Sequence, residues 1–149
     1  MRASALVLAL ALLGGCRPEP VPLRYGEDAC AHCRMTVSDP RFGAELVAAT
    51  GRTYPFDAVE CLAAFVQAHP EVEVHSLWVT PSDAPGTLVH VEDAFFARSP
   101  AVRSPMGAGL IAFSTAAARD AALAGEGEAL DWAGVLVRVS EDAPHAHLP

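Results

Sequence analysis

The sequence predicts an α+β fold, with two loosely similar ββαβ units around one core, after a lipoprotein signal and a short Pro-rich tether. Three observations predict this fold. The length of 149 residues suits a single domain. The hydrophobic fraction of 52% is too high for a disordered chain and allows a substantial core. Strand-like and helix-like apolar patterns also follow one another in the same order in both halves.

Residues 1–15 are predicted to be a lipoprotein signal peptide. Arg2 supplies a positive charge, and the apolar run 3–13 is shorter than the roughly 20 residues that a membrane-spanning helix needs. The run ends in Leu13-Gly14-Gly15-Cys16, which resembles a bacterial lipobox. We therefore expect lipid attachment at Cys16, a membrane anchor and a location on the periplasmic side of a bacterial membrane. An ordinary signal peptide with an incidental Cys is the alternative.

The chain after this signal divides into a tether, a domain and a tail. Residues 16–23 form the lipid-anchored tether, whose three Pro favour an extended, semi-rigid spacer. Residues 24–140 form the domain. Residues 141–149 form a polar, flexible tail that contains His145 and His147.

The first unit begins with a predicted hairpin. Residues 44–49 and 52–56 are strand-like and flank Thr50-Gly51, a pair suited to a tight turn. Asp57 is then predicted to cap a helix, with Glu60 as the partner in a capping box.

The apolar residues of this helix share one face, Pro70 closes it, and the alternating residues 72–80 form the third strand. The second unit repeats this order. Residues 87–91 and 110–113 are predicted strands, and residues 115–124 are a predicted helix that Gly125 ends. A further short pairing begins at Leu130, and the apolar run 132–139 is compatible with either a buried strand or a final helix.

Charge and motifs exclude several classes of function. The net charge is −8, whereas nucleic-acid binding needs a cationic surface, so we expect no nucleic-acid partner. The sequence has no Gly-rich phosphate loop, no Gly-x-Ser-x-Gly elbow and no His-Glu-x-x-His zinc helix. We therefore expect a protein that is not an enzyme.

The residues suited to chemistry are concentrated in Cys30-Ala31-His32-Cys33-Arg34-Met35. Two thiols separated by two residues can turn towards one point, and an extended chain after Cys33 would place Met35 on the same side. A thioether is neutral and soft, so beside thiolates it indicates Cu(I) rather than Mg, Ca or Mn. The alternative is a disulfide between Cys30 and Cys33, with Met35 as a residue of the core.

The Cys-x-x-Cys pattern also occurs in three other kinds of site. Covalent haem needs His directly after the second Cys, where this chain has Arg34. A thiol-disulfide oxidoreductase would place the pair after a strand and at the start of a helix, which the turn-like residues after Met35 disfavour. Structural zinc could be bound by Cys30, Cys33 and Cys61 with one His, and this alternative stays open.

Several motifs, in this order, resemble the NosL family of lipoproteins that deliver copper for maturation of nitrous oxide reductase. They are Cys30-x-x-Cys33-x-Met35, Arg41-Phe42-Gly43-Ala44, Tyr54-Pro55-Phe56-Asp57 with Cys61, and Ser104-Pro105-Met106-Gly107 running into Gly109-Leu110-Ile111-Ala112-Phe113. The resemblance implies a periplasmic Cu(I) chaperone with a repeated ββαβ fold. Its implied partners are nitrous oxide reductase or the membrane ABC-type complex that matures this enzyme. The family often has Gly directly before the Met, where this chain has Arg34.

Within this resemblance, Cys33 and Met35 are the leading candidate Cu(I) ligands, followed by Cys30. A thiolate would supply the negative charge, and a thioether would complete a site of low coordination number. Met106, in a predicted tight loop, is the candidate donor from a distant part of the chain. Two neighbours have weaker claims: His32 as a solvent-exposed or supporting residue, and Cys61 as a buried helical Cys that behaves as a small hydrophobe.

Overall fold

The computed structural model describes residues 18–143, which form two small antiparallel sheets and three helices. The proposed lipid-attachment residue Cys16 and the tail residues His145 and His147 lie outside the described residues. The elements in chain order are β1 (Ala44–Ala48), β2 (Thr53–Phe56), α1 (Val59–Ala68), β3 (Val74–Val79), β4 (Val89–His90), a 3₁₀ turn (Val91–Asp93), β5 (Phe95–Arg98), β6 (Leu110–Phe113), α2 (Ala116–Leu123), β7 (Glu128–Leu130) and α3 (Trp132–Asp142).

The first sheet has the strand order β2-β1-β3-β4. Strands β1 and β2 form the predicted hairpin, in which Ala44 lies opposite Phe56 and Val47 opposite Thr53. Gly51 has a φ of +83° in the connecting turn, a backbone conformation that favours glycine. Every residue of β1 is buried, because this central strand is covered on both faces.

The second sheet has the order β6-β5-β7, so its first strand is again the central one. In both units, the second and third strands flank the first and pair with it antiparallel, with a helix between them in sequence. The predicted α+β fold with two similar ββαβ units is therefore confirmed.

The prediction for the first strand of the second unit was wrong. Within the predicted strand 87–91, only Val89–His90 is a strand, and it pairs with β3 as the last strand of the first sheet. The second unit instead begins at β5, Phe95–Arg98. This strand is short and ends in Arg98, so its apolar pattern was too brief to indicate a strand.

The predicted capping box at Asp57 was also wrong. Helix α1 begins one residue later than expected, with Ala58 as its N-cap and no side-chain cap. The Asp57 carboxylate instead accepts a hydrogen bond of 3.0 Å from the backbone N–H of Ser38. Asp57 therefore connects the loop that precedes β1 to the start of α1.

The undecided segment 132–139 is a helix, and α3 continues to Asp142, past the predicted domain end at residue 140. The Asp131 carboxylate caps it by accepting a hydrogen bond of 2.8 Å from the N–H of Gly134. No helix among residues 18–143 has both the length and the apolar character needed to span a bilayer.

One main core joins the two units. It includes Leu46 and Leu62 from the first unit together with Phe96, Leu110 and Val135 from the second, all fully buried. Two residues of the candidate site, Cys30 and Cys61, belong to this same core. One side of the candidate site is therefore buried in the interior of the domain. Packing there fixes the position of the site relative to both sheets.

Candidate metal centre

Three cysteine sulfurs meet at the edge of the core. The Sγ atoms of Cys30, Cys33 and Cys61 all lie within 4.8 Å of one another, and all three cysteines are free thiols. Cys30 and Cys61 are buried, with 0% and 1% of their surface exposed, whereas Cys33 is half-buried. Sulfurs at this spacing can bind one soft metal ion together after small side-chain movements.

A tight turn positions the first two cysteines. The N–H of Cys30 donates to the carbonyl of Met35 at 2.8 Å, and the N–H of Arg34 donates to the carbonyl of Cys30 at 3.1 Å. The N–H of Ala31 donates to the carbonyl of Pro55 in β2, which attaches the turn to the first sheet. The turn is therefore fixed to the scaffold on the side where the third cysteine arrives.

Helix α1 positions Cys61 in its first turn. Within the sequence analysis, only the structural-zinc alternative grouped this thiol with the Cys30-x-x-Cys33 pair, since about thirty residues separate them. Tertiary contacts near the start of α1 bring the thiols together. The carbonyl of Pro55 accepts from the N–H of Ala31 in the Cys30 turn, and the carboxylate of Asp57 accepts from the N–H of Ser38. Cys61 is buried, as the sequence indicated, but its sulfur belongs to the cluster as well as to the core.

The three thiols form one coupled electrostatic group. The Cys61 thiol donates a hydrogen bond to the Cys30 sulfur, which holds the pKa of Cys30 well below its ordinary value. Backbone N–H groups of Asp57, Cys33 and His32 add to this effect, while burial opposes it. The bond with Cys30 raises the pKa of Cys61, and burial raises the pKa of Cys33. The cluster therefore forms one thiolate readily, a charge that matches a monovalent cation.

The two candidate thioethers lie at the surface. Met35 is 48% exposed and Met106 is 44% exposed. The N–H of Met35 contacts the Cys33 sulfur and partly offsets the effect of burial on the Cys33 pKa. The prediction of an extended chain between Cys33 and Met35 was wrong. Arg34 has a φ of +68°, which turns the chain between them.

Met106 occupies the tip of a tight loop, as the sequence predicted. The N–H of Gly107 donates to the carbonyl of Ser104 at 3.0 Å, and the Ser104 hydroxyl accepts from the N–H of Gly109 at the same distance. This loop lies near the cysteine cluster, because Met106, Cys61 and His32 line one cavity. Met106, a distant residue in the sequence, is thus brought to the same side of the molecule.

A comparison with protein families decides the classification. Residues 20–137 match the family model described as NosL. The chain belongs to the NosL family. A comparison with curated proteins gives no match.

Among solved structures, the chain is similar to the crystal structure of the copper chaperone NosL from Shewanella denitrificans. The TM-score is 0.68 at 18% sequence identity, and the match covers 79% of this chain and 96% of that chain. At this identity the likeness establishes a shared fold, which is the two-unit α+β fold described above.

Arg34 has a left-handed backbone conformation, with a φ of +68°. Positive φ is accessible to Gly without steric cost, whereas a Cβ atom makes it unfavourable. Arg34 therefore stores a small strain in the turn that carries Cys30, Cys33 and Met35.

Proposed function

We propose that this protein is a metallochaperone that binds Cu(I) at the cysteine cluster and delivers it to a copper enzyme. The observation that carries this proposal is the meeting of three free thiols within 4.8 Å. Soft sulfur donors favour Cu(I) over hard cations, and one readily formed thiolate balances its single charge. Membership of the NosL family, which includes a solved copper chaperone, supports the same cargo.

In this proposal, Cys61 joins the ligands expected from the sequence, which are Cys30, Cys33, Met35 and Met106. The buried sulfurs of Cys30 and Cys61 would hold the ion from the protein side. The exposed thioethers of Met35 and Met106 would complete its coordination from the solvent side.

Such an arrangement suits delivery of a metal. Neutral thioethers at the surface can be displaced by a partner's Cys, Met or His one at a time, so the ion need not enter water during transfer. A closed cage of four thiolates would release the ion more slowly, because every ligand would be charged. The half-buried Cys33 is intermediate in exposure between the buried thiols and the exposed thioethers.

The client is proposed to be nitrous oxide reductase or its membrane ABC-type maturation complex. Resemblance to the NosL family supports this client, and the lipobox at residues 13–16 supports a lipid-anchored protein on the periplasmic side of a bacterial membrane. We infer a carrier without enzymatic activity.

Structural zinc is the second candidate, because three clustered thiols with one His also form a common zinc site. His32 is the nearest candidate by position, since it lines the same cavity as Cys61. A thiol-disulfide oxidoreductase is less well supported. Its Cys pair would begin a helix, whereas residues 18–43 contain only turns and an isolated bridge between Ala29 and Thr36.

The decisive experiment is anaerobic loading of the purified protein with Cu(I) or Zn(II), followed by metal analysis and competition with a chromophoric chelator. We expect one tightly bound Cu(I) per chain. Cys33→Ser and Cys61→Ser should each weaken Cu(I) binding at least tenfold, which corresponds to about 1.4 kcal/mol. Met35→Ala should weaken it less, because a neutral donor contributes less than a thiolate.

His75→Gln is the matched control, since His75 is exposed on β3 and should leave affinity unchanged. Circular dichroism would verify that each variant is folded. Undiminished Cu(I) affinity in both Cys33→Ser and Met35→Ala would remove the proposed site, and retention of Zn(II) in preference to Cu(I) would favour the zinc alternative. Delivery is tested with the same loaded protein, by transfer of Cu(I) to metal-free nitrous oxide reductase or its maturation complex.

A further inference from the structure

A cavity of about 520 Å³ lies beside the cysteine cluster. Its lining comes from α1, from the end of α3, and from the loop that carries Met106. Apolar groups make up most of the wall, among them Ala64, Ala68, Ala108 and Val139. Its size and apolar character are those of a site that accepts a side chain or small ligand.

One buried carboxylate lines this cavity and lacks a hydrogen-bond partner. Glu60 is 5% exposed, and among the described residues neither of its carboxylate oxygens accepts a hydrogen bond of acceptable geometry. The Ser104 hydroxyl and the Ala108 N–H lie near it, but neither completes such a bond. A buried carboxylate whose oxygens make no well-formed hydrogen bond is unfavourable, and a donor from a partner protein would satisfy it.

Two other polar side chains of the cavity are already engaged. The Gln67 amide donates to the carbonyl of Leu136 at 2.8 Å. The Asp142 carboxylate accepts from the Arg98 guanidinium, also at 2.8 Å. Glu60 is therefore the acidic group in the cavity that remains unpaired, and both of its oxygens are buried without a hydrogen-bond partner.

We propose that this cavity is a docking site for an arginine side chain of a partner protein. The apolar wall fits the three methylene groups of arginine. The two unpaired oxygens of Glu60, once its side chain turns further into the cavity, fit the paired N–H donors of a guanidinium. Lysine would satisfy the carboxylate less well, because its ammonium cannot donate two parallel hydrogen bonds to the same carboxylate. The protein's net charge of −8 also favours a basic partner.

The cavity lies beside the cysteine cluster, so docking in it would also position the partner protein. Cys61 and Met106 line the same cavity as Glu60, so an arginine bound there would hold the partner's surface against the sulfur cluster. This inference goes beyond the proposed function, and its test requires no metal.

The test is an NMR titration of the full, metal-free chain with n-butylguanidinium, a fragment that reproduces the end of an arginine side chain. We expect shifts confined to backbone amides around the cavity, including those of Ala64, Ala68 and Val139. The dissociation constant should be on the order of 1 mM, as suits a ligand of this size. The uncharged fragment n-butylurea has nearly the same shape and should bind at least tenfold more weakly.

Glu60→Gln should weaken binding of n-butylguanidinium at least tenfold, while the matched control Glu126→Gln, at an exposed position, should leave it unchanged. Equal binding of the charged and uncharged fragments, or no binding of either, would overturn the proposal even if Glu60→Gln did not fold. Two further outcomes would also overturn it, each by identifying another occupant. The first is that n-butylguanidinium binds only after deletion of residues 144–149, which would identify these residues as the occupant. The second is that these amides respond to Cu(I) but not to n-butylguanidinium, which would identify the metal as the occupant.

Discussion

Arg34 shows how one residue shapes the metal centre. Its φ of +68° turns the chain so that the N–H of Cys30 reaches the carbonyl of Met35, and the N–H of Arg34 reaches the carbonyl of Cys30. A glycine would adopt this conformation without steric strain. The side chain at this position therefore lowers stability without contributing a contact that the turn needs.

Replacing Arg34 with Gly is expected to stabilise the metal-free protein. Relief of the left-handed conformation is worth roughly 1–2 kcal/mol, and the greater freedom of Gly in the unfolded chain offsets part of it. We expect the free energy of unfolding to rise by about 0.5–1 kcal/mol in urea denaturation. Arg34→Ala is the control, because it removes the charge but keeps the Cβ atom. A stabilisation of equal size in Arg34→Ala would show that charge, rather than backbone strain, is responsible.

The cysteines of the candidate site show how much a local sequence pattern can predict. The Cys30-x-x-Cys33 spacing predicted a sulfur pair, and the structure brings these two sulfurs together as predicted. The sequence offered Cys61 both as a small buried apolar residue of α1 and, in the zinc alternative, as a ligand beside Cys30 and Cys33, and it did not decide between the two. The predicted role of Glu60 in a capping box was wrong. Its spacing from Asp57 is typical of a capping box, but neither side chain caps α1.

At the scale of elements, the segment before the domain is attached to the first sheet. The backbone N–H of Val21 donates to the Glu45 carboxylate at 2.7 Å, and Glu45 is the second residue of β1, with 2% of its surface exposed. Gly43 adds a second contact, because a Cβ atom there would come within 2.5 Å of Leu23 and 2.9 Å of the Tyr25 hydroxyl. The last residues of the predicted tether thus pack on the domain.

This attachment predicts a pH dependence of stability. Burial raises the pKa of Glu45 from an ordinary 4.5 to about 7, with the Val21 N–H opposing the rise and the charge of Asp28 adding to it. Between these pH values the folded protein keeps a proton that the unfolded chain has lost. The contribution of Glu45 to stability is therefore fully present below pH 4.5 and is lost as the pH rises through about 7.

We expect this loss to reach about 1.4 kcal/mol per pH unit within the window, and Glu45→Gln to abolish it. The measurement is urea denaturation of both proteins from pH 4 to pH 8, in which the stability of Glu45→Gln relative to the parent protein should increase with pH. Glu126→Gln, at an exposed position, should follow the parent profile. Parallel profiles for the parent and Glu45→Gln would contradict the assignment.

At the scale of the whole molecule, the metal centre lies where the two units meet one core. Cys30 and Cys61 pack in a continuous cluster with Leu62, Phe96 and Leu110, which come from both units. This cluster extends well beyond the two cysteines, so most of its burial comes from packing between apolar side chains. We therefore expect a fold that does not depend on the ion, unlike that of a small zinc domain.

Removal of the metal is accordingly expected to leave the protein folded. We expect metal-free protein to unfold cooperatively on heating and to keep its near-ultraviolet circular dichroism spectrum at 25 °C. Loading with Cu(I) should raise the melting temperature, since a ligand that binds only the folded state stabilises it. Loss of the near-ultraviolet spectrum on chelation would instead indicate a structural metal, as in the zinc alternative.

The sequence by itself determined the α+β fold with two units, the β1–β2 hairpin and the pair Cys30 and Cys33, because each depends on residues close together in the chain. Short-range patterns of apolar residues, turns and thiols carry that information directly. Tertiary structure alone decided that Cys61 joins Cys30 and Cys33, and that Met106 lines the same cavity as Cys61. It also decided that β5, rather than the segment 87–91, begins the second unit. These outcomes depend on which distant segments pack together, and packing is set by the shape of the whole core rather than by any local pattern.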